Sequence, residues 1–186
     1  MTVVDAATVK DKMVISQDAY KIGDVQDIRY DPTTWDIEGL KVRCSKTVST
    51  MISAGTSKSM ILLGPVQFSM NDVIVLPDDV EGSNGYIRAD SDSFSAVSYL
   101  SGRKEITTDG VTVGVVDAVM VDLDGWSLNS LKVKLDKTAY DRLGIKKGLL
   151  FAKTVSGLMV SLIETVTENI MLNVTADELK DIVILD

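Results

Sequence analysis

The chain has 186 residues, 45% of them hydrophobic, which is enough to fill the core of one domain or of two small ones. Its 19 lysine and arginine residues are outnumbered by 27 aspartate and glutamate residues, and the resulting net charge of −8 disfavours direct binding of nucleic acid through many phosphate contacts. Histidine is absent and Cys44 is the single cysteine, which excludes Ser-His and Cys-His nucleophile pairs, a multi-cysteine metal cage and an intrachain disulfide.

An internal repeat organises the chain. Residues 16–47 align without a gap on residues 107–138 at an offset of 91, with ten identical pairs among the 32. The identical pairs are Asp18/Asp109, Gly23/Gly114, Val25/Val116, Asp31/Asp122, Trp35/Trp126, Leu40/Leu131, Lys41/Lys132, Val42/Val133, Lys46/Lys137 and Thr47/Thr138. The segment 76–93 is rich in Asp, Ser and Gly and is typical of a linker or long loop. We therefore predict two domains, residues 1–88 and 89–186.

The first long element of each copy is predicted to be a strand that ends in a hairpin turn. Apolar residues alternate in both copies, and each run stops at the same aligned position. Pro32 stands at the second position of a type I turn that follows Asp31, whereas Asp124-Gly125 favours a tight hairpin turn.

The returning strand changes the phase of its apolar alternation in both copies, which predicts a β-bulge near Glu38-Gly39 and another near Asn129-Ser130. The basic residues that face outward after the bulge are Lys41, Arg43, Lys132 and Lys134. One interpretation is solvated charge that discourages pairing of sheet edges. The other is a basic docking face for an acidic partner.

Helix is scarce. Thr138–Asp141 and Thr175–Glu178 each have the pattern of a capping box, and Gly144 is a candidate C-cap for the first of these helices. The remaining apolar runs favour strands. The predicted fold class is all-β: two tandem small six-stranded β-barrels with one or two short helices.

The two copies differ on one face of the long strand. Copy one has Val25, Asp27 and Arg29 where copy two has Val116, Ala118 and Met120. If the first set faces water, the second exposes an apolar patch, and such patches tend to be covered. Val116, Ala118 and Met120 are therefore our candidate interface with the other barrel or with a second protomer; burial under the chain's own terminal segment is the alternative.

Residues able to perform chemistry are few. Asp122-x-Asp124-Gly125 resembles a calcium loop only in part, because the glycine comes too early and no glutamate follows at the required place. The chain also has no glycine-rich loop of the kind that opens a helix around a phosphate. We expect no enzyme, no catalytic residue, no cofactor and no metal. The N-terminus has no signal-peptide pattern and no run is long enough to span a membrane, which favours a cytoplasmic protein.

The repeated motifs resemble the PRC-barrel family. They are Ile15-Ser-Gln-Asp18, Ile22-Gly-Asp-Val25, an Asp-containing turn before Trp35, and Leu40-Lys-Val42, all with counterparts in the second copy. The family includes a barrel of the photosynthetic reaction-centre H subunit and one of the ribosome-maturation factor RimM. The resemblance implies compact, non-enzymatic barrels that bind other proteins.

Two processes follow from this resemblance as expectations. The first is archaeal cell division. In this process a tandem PRC-barrel adaptor, present as a homo- or heterodimer, would bind a SepF-type adaptor or another PRC-barrel protein. It would reach the FtsZ division site through that partner. The alternative is a RimM-like accessory factor in ribosome maturation or RNA processing that binds a ribosomal protein rather than RNA. Neither involves a membrane span of the chain itself.

Overall fold

The structure is a computed structural model that describes residues 3–46, 48–51, 60–88, 90–143, 154–182 and 184–185. The chain falls into two compact units. The first comprises residues 1–98 together with 122–127, and the second comprises 99–121 together with 128–186. The predicted domain limits, 1–88 and 89–186, stay a prediction.

The first unit is built around one sheet. The strands of the unit, in chain order, are β1 Val3–Asp5, β2 Met13–Ile15, β3 Lys21–Tyr30, β4 Ile37–Cys44, β5 Met60–Leu63, β6 Ser69–Met70, β7 Ile74–Val75, β8 Ile87–Arg88 and β9 Ser95–Ala96, of which β2 to β9 form the sheet. The strand order is β6-β7-β2-β3-β4-β5-β8, and β9 also pairs with β3. Short 3-10 turns cover Ala6–Thr8, Val48–Thr50, Gly82–Tyr86 and Val97–Tyr99.

The second unit repeats this arrangement. Its strands are β10 Lys104–Ile106, β11 Thr112–Asp122, β12 Ser127–Leu135, β13 Thr154–Met159, β14 Ile163–Val166, β15 Ile170–Leu172 and β16 Ile184–Leu185, with a 3-10 turn at Val160–Leu162 and helices α1 Lys137–Arg142 and α2 Ala176–Ile182. Their order is β14-β15-β10-β11-β12-β13-β16. Two strand-rich sheets and two short α-helices confirm the predicted all-β fold class.

The registers show that the sequence repeat is also a structural one. Val14 of β2 lies opposite Gly23 and, in parallel pairing, opposite Ile74. Glu105 of β10 lies opposite Gly114 and, again in parallel, opposite Ile170. Position 14 and position 105 are therefore equivalent, two residues before the segments that align by sequence. The apolar residues of both sheets are buried, including Ile22, Ile28, Leu40 and Val42 in the first unit and Val113, Val119, Leu131 and Val133 in the second.

Bulges set which side chains enter the core. Glu38 is an extra residue between the pairs Arg29↔Gly39 and Tyr30↔Ile37, which confirms the bulge predicted there. A second bulge, at Gln26, was not predicted: Val25 pairs with Val42, and Asp27 already pairs with Lys41. An extra residue moves the following side chains to the opposite face. Val25 is accordingly buried, while Asp27 and Arg29 are only half-buried.

The second copy shows the same change of phase. Val116 is buried, and the next buried residues of β11 are Val119 and Val121 rather than residues 118 and 120. In β12 the buried positions change phase between Leu128 and Leu131, in the region where the second bulge was predicted. The spacing of three residues between Val116 and Val119 repeats the spacing between Val25 and Ile28, which spans the bulge at Gln26.

The hairpin turns are alike, which corrects the tight turn predicted at Asp124-Gly125. Both tryptophans have a positive φ, 66° at Trp35 and 50° at Trp126, and Gly125 does not. Asp122 accepts hydrogen bonds from the backbone N–H of Asp124 and of Gly125, at 3.1 and 3.2 Å. Asp and Trp are therefore identical in the two copies because they build one longer turn.

The helix caps agree with the prediction at α2 and differ at α1. The N–H and hydroxyl of Thr175 donate to Glu178 Oε2 at 2.8 and 2.9 Å, and the Glu178 N–H donates back to Thr175 Oγ1, as a capping box requires. At α1 the N-cap is Asp136 rather than Thr138. The proposed C-cap, Gly144, lies outside the described residues.

Candidate functional site

A groove of about 650 Å³ lies on the second unit. Its walls come from β10, β11, β12 and the start of α1, and they include Lys104, Thr112, Val115, Lys134, Asp136 and Thr138. Both sequence repeats provide strands at this position, so the groove can be compared directly with its counterpart in the first unit.

Strand alternation explains why two lysines line this groove. Glu105 points into the core, so its neighbour Lys104 lies on the outer face, where it pairs in register with Val115. Lys134 is exposed between the buried residues Val133 and Leu135. Val115 is 37% exposed, which is unusual for a large apolar side chain in a sheet that buries most of its valines.

Gly114 allows β11 and β12, two of the strands that line the groove, to lie close together. A Cβ at Gly114 would lie 2.2 Å from the carbonyl oxygen of Lys134, a distance that no side chain tolerates. Gly23 has the same relation to the carbonyl oxygen of Arg43, at 2.1 Å. This close approach of two strands explains why Gly23 and Gly114 are identical in the repeat, and it places Lys134 beside β11.

The groove has an excess of positive charge. Among the residues that the structure describes, neither Lys104 nor Lys134 forms an ion pair. The one carboxylate in the lining, Asp136, accepts hydrogen bonds from the N–H and hydroxyl of Thr138 at 2.9 and 2.7 Å. These bonds, assisted by Lys104 and Lys137, lower the pKa of Asp136. Its charge thus already has partners at the start of α1, while the two lysines remain available.

On the corresponding surface of the first unit, the charged side chains are bonded to one another or to a neutral neighbour. Asp24 stands where the second unit has Val115, and its carboxylate lies 2.8 Å from Lys21 Nζ. Arg43, the counterpart of Lys134, donates from Nη2 to Gln26 Oε1 at 2.6 Å. Met13 occupies the position of Lys104. The two units thus share the strands of this surface and differ in which of its charged side chains have partners.

The four residues of the predicted basic docking face lie in different surroundings. Lys41 Nζ lies 3.0 Å from Asp90, which also accepts a 2.9 Å hydrogen bond from Arg29. Partial burial opposes ionisation of Asp90, but the bonds from Lys41 and Arg29 outweigh it and lower the pKa of this carboxyl.

Arg43 is exposed and bonded to Gln26, Lys132 is half-buried, and Lys134 lines the groove. The docking role of these residues stays a prediction.

The predicted interface residues do not share one face. Val116 is buried, with 2% exposure, whereas Ala118 and Met120 are half-buried. The bulge-dependent change of phase in β11 is the reason. Their role as an interface also stays a prediction.

Sequence analysis missed two residues of the second unit, Lys104 and Glu105. Glu105 is fully buried, and neither of its carboxylate oxygens has a hydrogen-bond partner among the described residues. Burial raises its pKa to about 8. Extending the sequence alignment by three residues would have paired them with Met13 and Val14, and the exchange of Val for Glu in a strand would have been the signal.

The described residues contain no group of three or more Cys, Asp or Glu side chains arranged to hold a metal ion. Within the same residues, no helix has the length and apolar character needed to cross a membrane.

Comparison with known proteins gives little similarity. No family model matches the chain, and no curated protein matches it. One solved structure with a similar arrangement is that of RimM from Pseudomonas aeruginosa, described as a candidate 16S ribosomal RNA processing protein. It is 15% identical, and the match covers 95% of this chain and 99% of that one at a TM-score of 0.30.

Proposed function

We propose that the chain is a non-enzymatic adaptor that binds an acidic segment of a partner protein in the groove of its second unit. The observation that carries this proposal is the pair Lys104 and Lys134, both without an ion-pair partner among the described residues, on either side of the exposed Val115. Carboxylates would pair with the lysines, and one apolar side chain of the partner would cover the valine.

The chemistry of the groove suits binding. Its lining combines lysine ammonium groups, threonine hydroxyls and an apolar side chain, while Asp136 is engaged as the cap of α1. Exposed ion pairs contribute about 0.2–1 kcal/mol each, so two of them give selectivity and a faster association rather than tight binding. Because the chain has a net charge of −8, its surface outside the groove repels an acidic partner, and the two lysines attract that partner to the groove.

The process in which such an adaptor works is the second part of the proposal. A ribosomal protein as the partner would correspond to ribosome maturation, the alternative that the sequence resemblance implies. A SepF-type adaptor or another PRC-barrel protein would correspond to cell division, which no contact of the described residues favours. Purification of the tagged full chain from its native cells, followed by mass spectrometry of bound proteins, distinguishes these processes.

The same purification tests the groove when it is repeated with two charge-matched variants. The double variant Lys104→Glu plus Lys134→Glu reverses the charge of the two groove lysines. The control, Lys10→Glu plus Lys46→Glu, makes the same change at two exposed lysines of the first unit. Each pair changes the net charge from −8 to −12, since every Lys→Glu exchange contributes −2. We expect the partner to be lost with the first pair and retained with the second. Equal recovery with both pairs would show that the groove is not the binding site.

A further inference from the structure

A carboxyl group is buried in the core of the second unit at a place where the first unit has a valine. Glu105 has 0% exposure, as does its counterpart Val14. Both Oε atoms lack a hydrogen-bond partner among the described residues. An ionised carboxylate in such a place would cost far more than a neutral acid, because it is removed from bulk solvent and no described residue pairs with it.

The strands around Glu105 bring no charge to it. Gly114 of β11 and Ile170 of β15 are its neighbours in register, and β15 has no titratable residue. On β11 the titratable residues are Asp117, which is exposed, and Asp122, which lies eight residues along the strand from Gly114. Lys104, the residue before Glu105, lies on the opposite face of β10.

The other elements of the unit also present mainly apolar groups to the core. The buried residues of α1 and α2 are Ala139, Tyr140, Ala176 and Leu179, of which only Tyr140 is titratable. The charged residues of the helices, and Lys134 of β12, are exposed, while Lys132 is half-buried. Burial, with no charged partner, is the cause of the raised pKa of Glu105.

We propose that Glu105 is a proton switch: loss of its proton releases β10 from the second sheet and takes Lys104 away from the groove. The second step rests on the function proposed for the groove. β10 is a short strand of three residues that pairs with β11 on one side and with β15 on the other, so its release breaks both pairings. Separation gives the carboxylate access to water, and this access is what favours the open form once the proton has left.

The direction of the pH effect follows from the two states. In the closed form the pKa of Glu105 is about 8, and in the open form it returns to its ordinary value of 4.5. Opening therefore releases a proton between these two pH values. The equilibrium constant for opening rises by about tenfold for each pH unit in this window, is constant below it and levels off above it.

Hydrogen exchange of the full chain measures this opening directly. After correction for intrinsic exchange rates, we expect the opening constant of residues 104–106 and 170–172 to rise by about tenfold per pH unit between pH 5.5 and 7.5. Residues 13–15, the equivalent strand around Val14, should show no such rise. This internal comparison needs no variant, so it stands even if a substitution prevents folding.

Two variants at this position sharpen the test. Glu105→Gln keeps the shape of the side chain without a titratable group, and Glu105→Val installs the residue of the first repeat. Both should remove the pH dependence of exchange in residues 104–106. The proposal is overturned if these residues in the natural chain show no pH dependence, or if Glu105→Gln shows the same one.

Binding of a peptide of alternating glutamate and leucine residues tests the second step. The affinity of the natural chain for this peptide should fall as the pH rises from 6 to 8, while that of Glu105→Gln should not. If exchange follows the expected pH dependence and the peptide binds at no pH, the proton switch stands and the function proposed for the groove is wrong. If the affinity does not follow the closed fraction that hydrogen exchange measures at each pH, the coupling of the switch to the groove is wrong.

Discussion

β2 of the first unit and β10 of the second occupy equivalent positions but differ both in the core and on the outer face. In each case the polar or charged groups of the second unit have fewer partners. In the first unit, Val14 fills the core and the basic residue Lys21 is paired with Asp24. In the second, the core position holds an acid without a hydrogen-bond partner, and Lys104 and Lys134 have no ion-pair partner among the described residues. Natural folds tolerate such local violations mainly at functional or strained sites. This difference is the reason for placing the proposed binding groove in the second unit.

The largest expected effect comes from replacing the buried Glu105 of the second unit by valine, the residue found at the equivalent position of the first unit. Because the folded chain holds the Glu105 proton at pH values where the unfolded chain releases it, the free energy of unfolding should decrease by about 1.4 kcal/mol per pH unit between 4.5 and 8. Glu105→Val should abolish this slope and raise the stability of the second unit by several kcal/mol at the upper limit. Urea unfolding at several pH values measures both effects. An unchanged slope in the variant would contradict the assignment.

The next effect concerns a feature that both units share. Gly114→Ala and Gly23→Ala place a Cβ against the carbonyl oxygens of Lys134 and Arg43, so the strands must separate. Each should cost about 1–3 kcal/mol in the unit that contains it, as overpacked sites do. Thermal unfolding combined with hydrogen exchange would locate each loss. Gly85→Ala, where a Cβ meets nothing within 4 Å, is the control and should change little.

A third variant makes the groove resemble the first unit. Val115→Asp places a carboxylate where the first unit has Asp24, and this carboxylate would neutralise Lys104 and Lys134 from within. Because Val115 is partly exposed, folding should be retained. Affinity for the alternating glutamate–leucine peptide should decrease by about tenfold, which corresponds to about 1.4 kcal/mol. Unchanged binding would show that these lysines do not hold the acidic residues.

The smallest effect comes from the acidic residue in the groove. Asp136→Asn retains an N-cap for α1 but removes a negative charge, so peptide affinity should rise by a few fold at low salt, with little change in stability. Asp136→Ala should instead lower the melting temperature of the second unit because the cap is lost. Peptide titration and thermal unfolding of both variants separate charge from capping. A lower affinity in Asp136→Asn would contradict the charge argument.

The parts of the fold that depend on residues close together in sequence could be predicted. The repeat, the hairpins and the bulge at Glu38 all follow from apolar alternation, and the cap of α2 follows from Thr175 and Glu178. The bulge at Gln26 was missed, although the spacing of three between Val25 and Ile28 indicates it. The turn at Trp126 was misjudged because Asp-Gly strongly favours tight hairpins.

The candidate site could be predicted only in part. Lys134 was found as an outward residue of a strand. Lys104 lies thirty residues earlier in the chain, and only the side-by-side order of β10, β11 and β12 places both lysines on one groove. Glu105 lies two residues before the aligned segments, so its exchange for Val14 was not visible there. The registers of β2 and β10 make that exchange evident.

The most direct test of the account is titration of the alternating glutamate–leucine peptide with the full-length chain near neutral pH and at low salt. The account predicts binding by the natural chain, a loss of at least about tenfold with Lys104→Glu plus Lys134→Glu, and a change of less than about twofold with the charge-matched pair Lys10→Glu plus Lys46→Glu. Equal affinity of the two double variants would contradict it, because the charge of the groove would then have no part in binding.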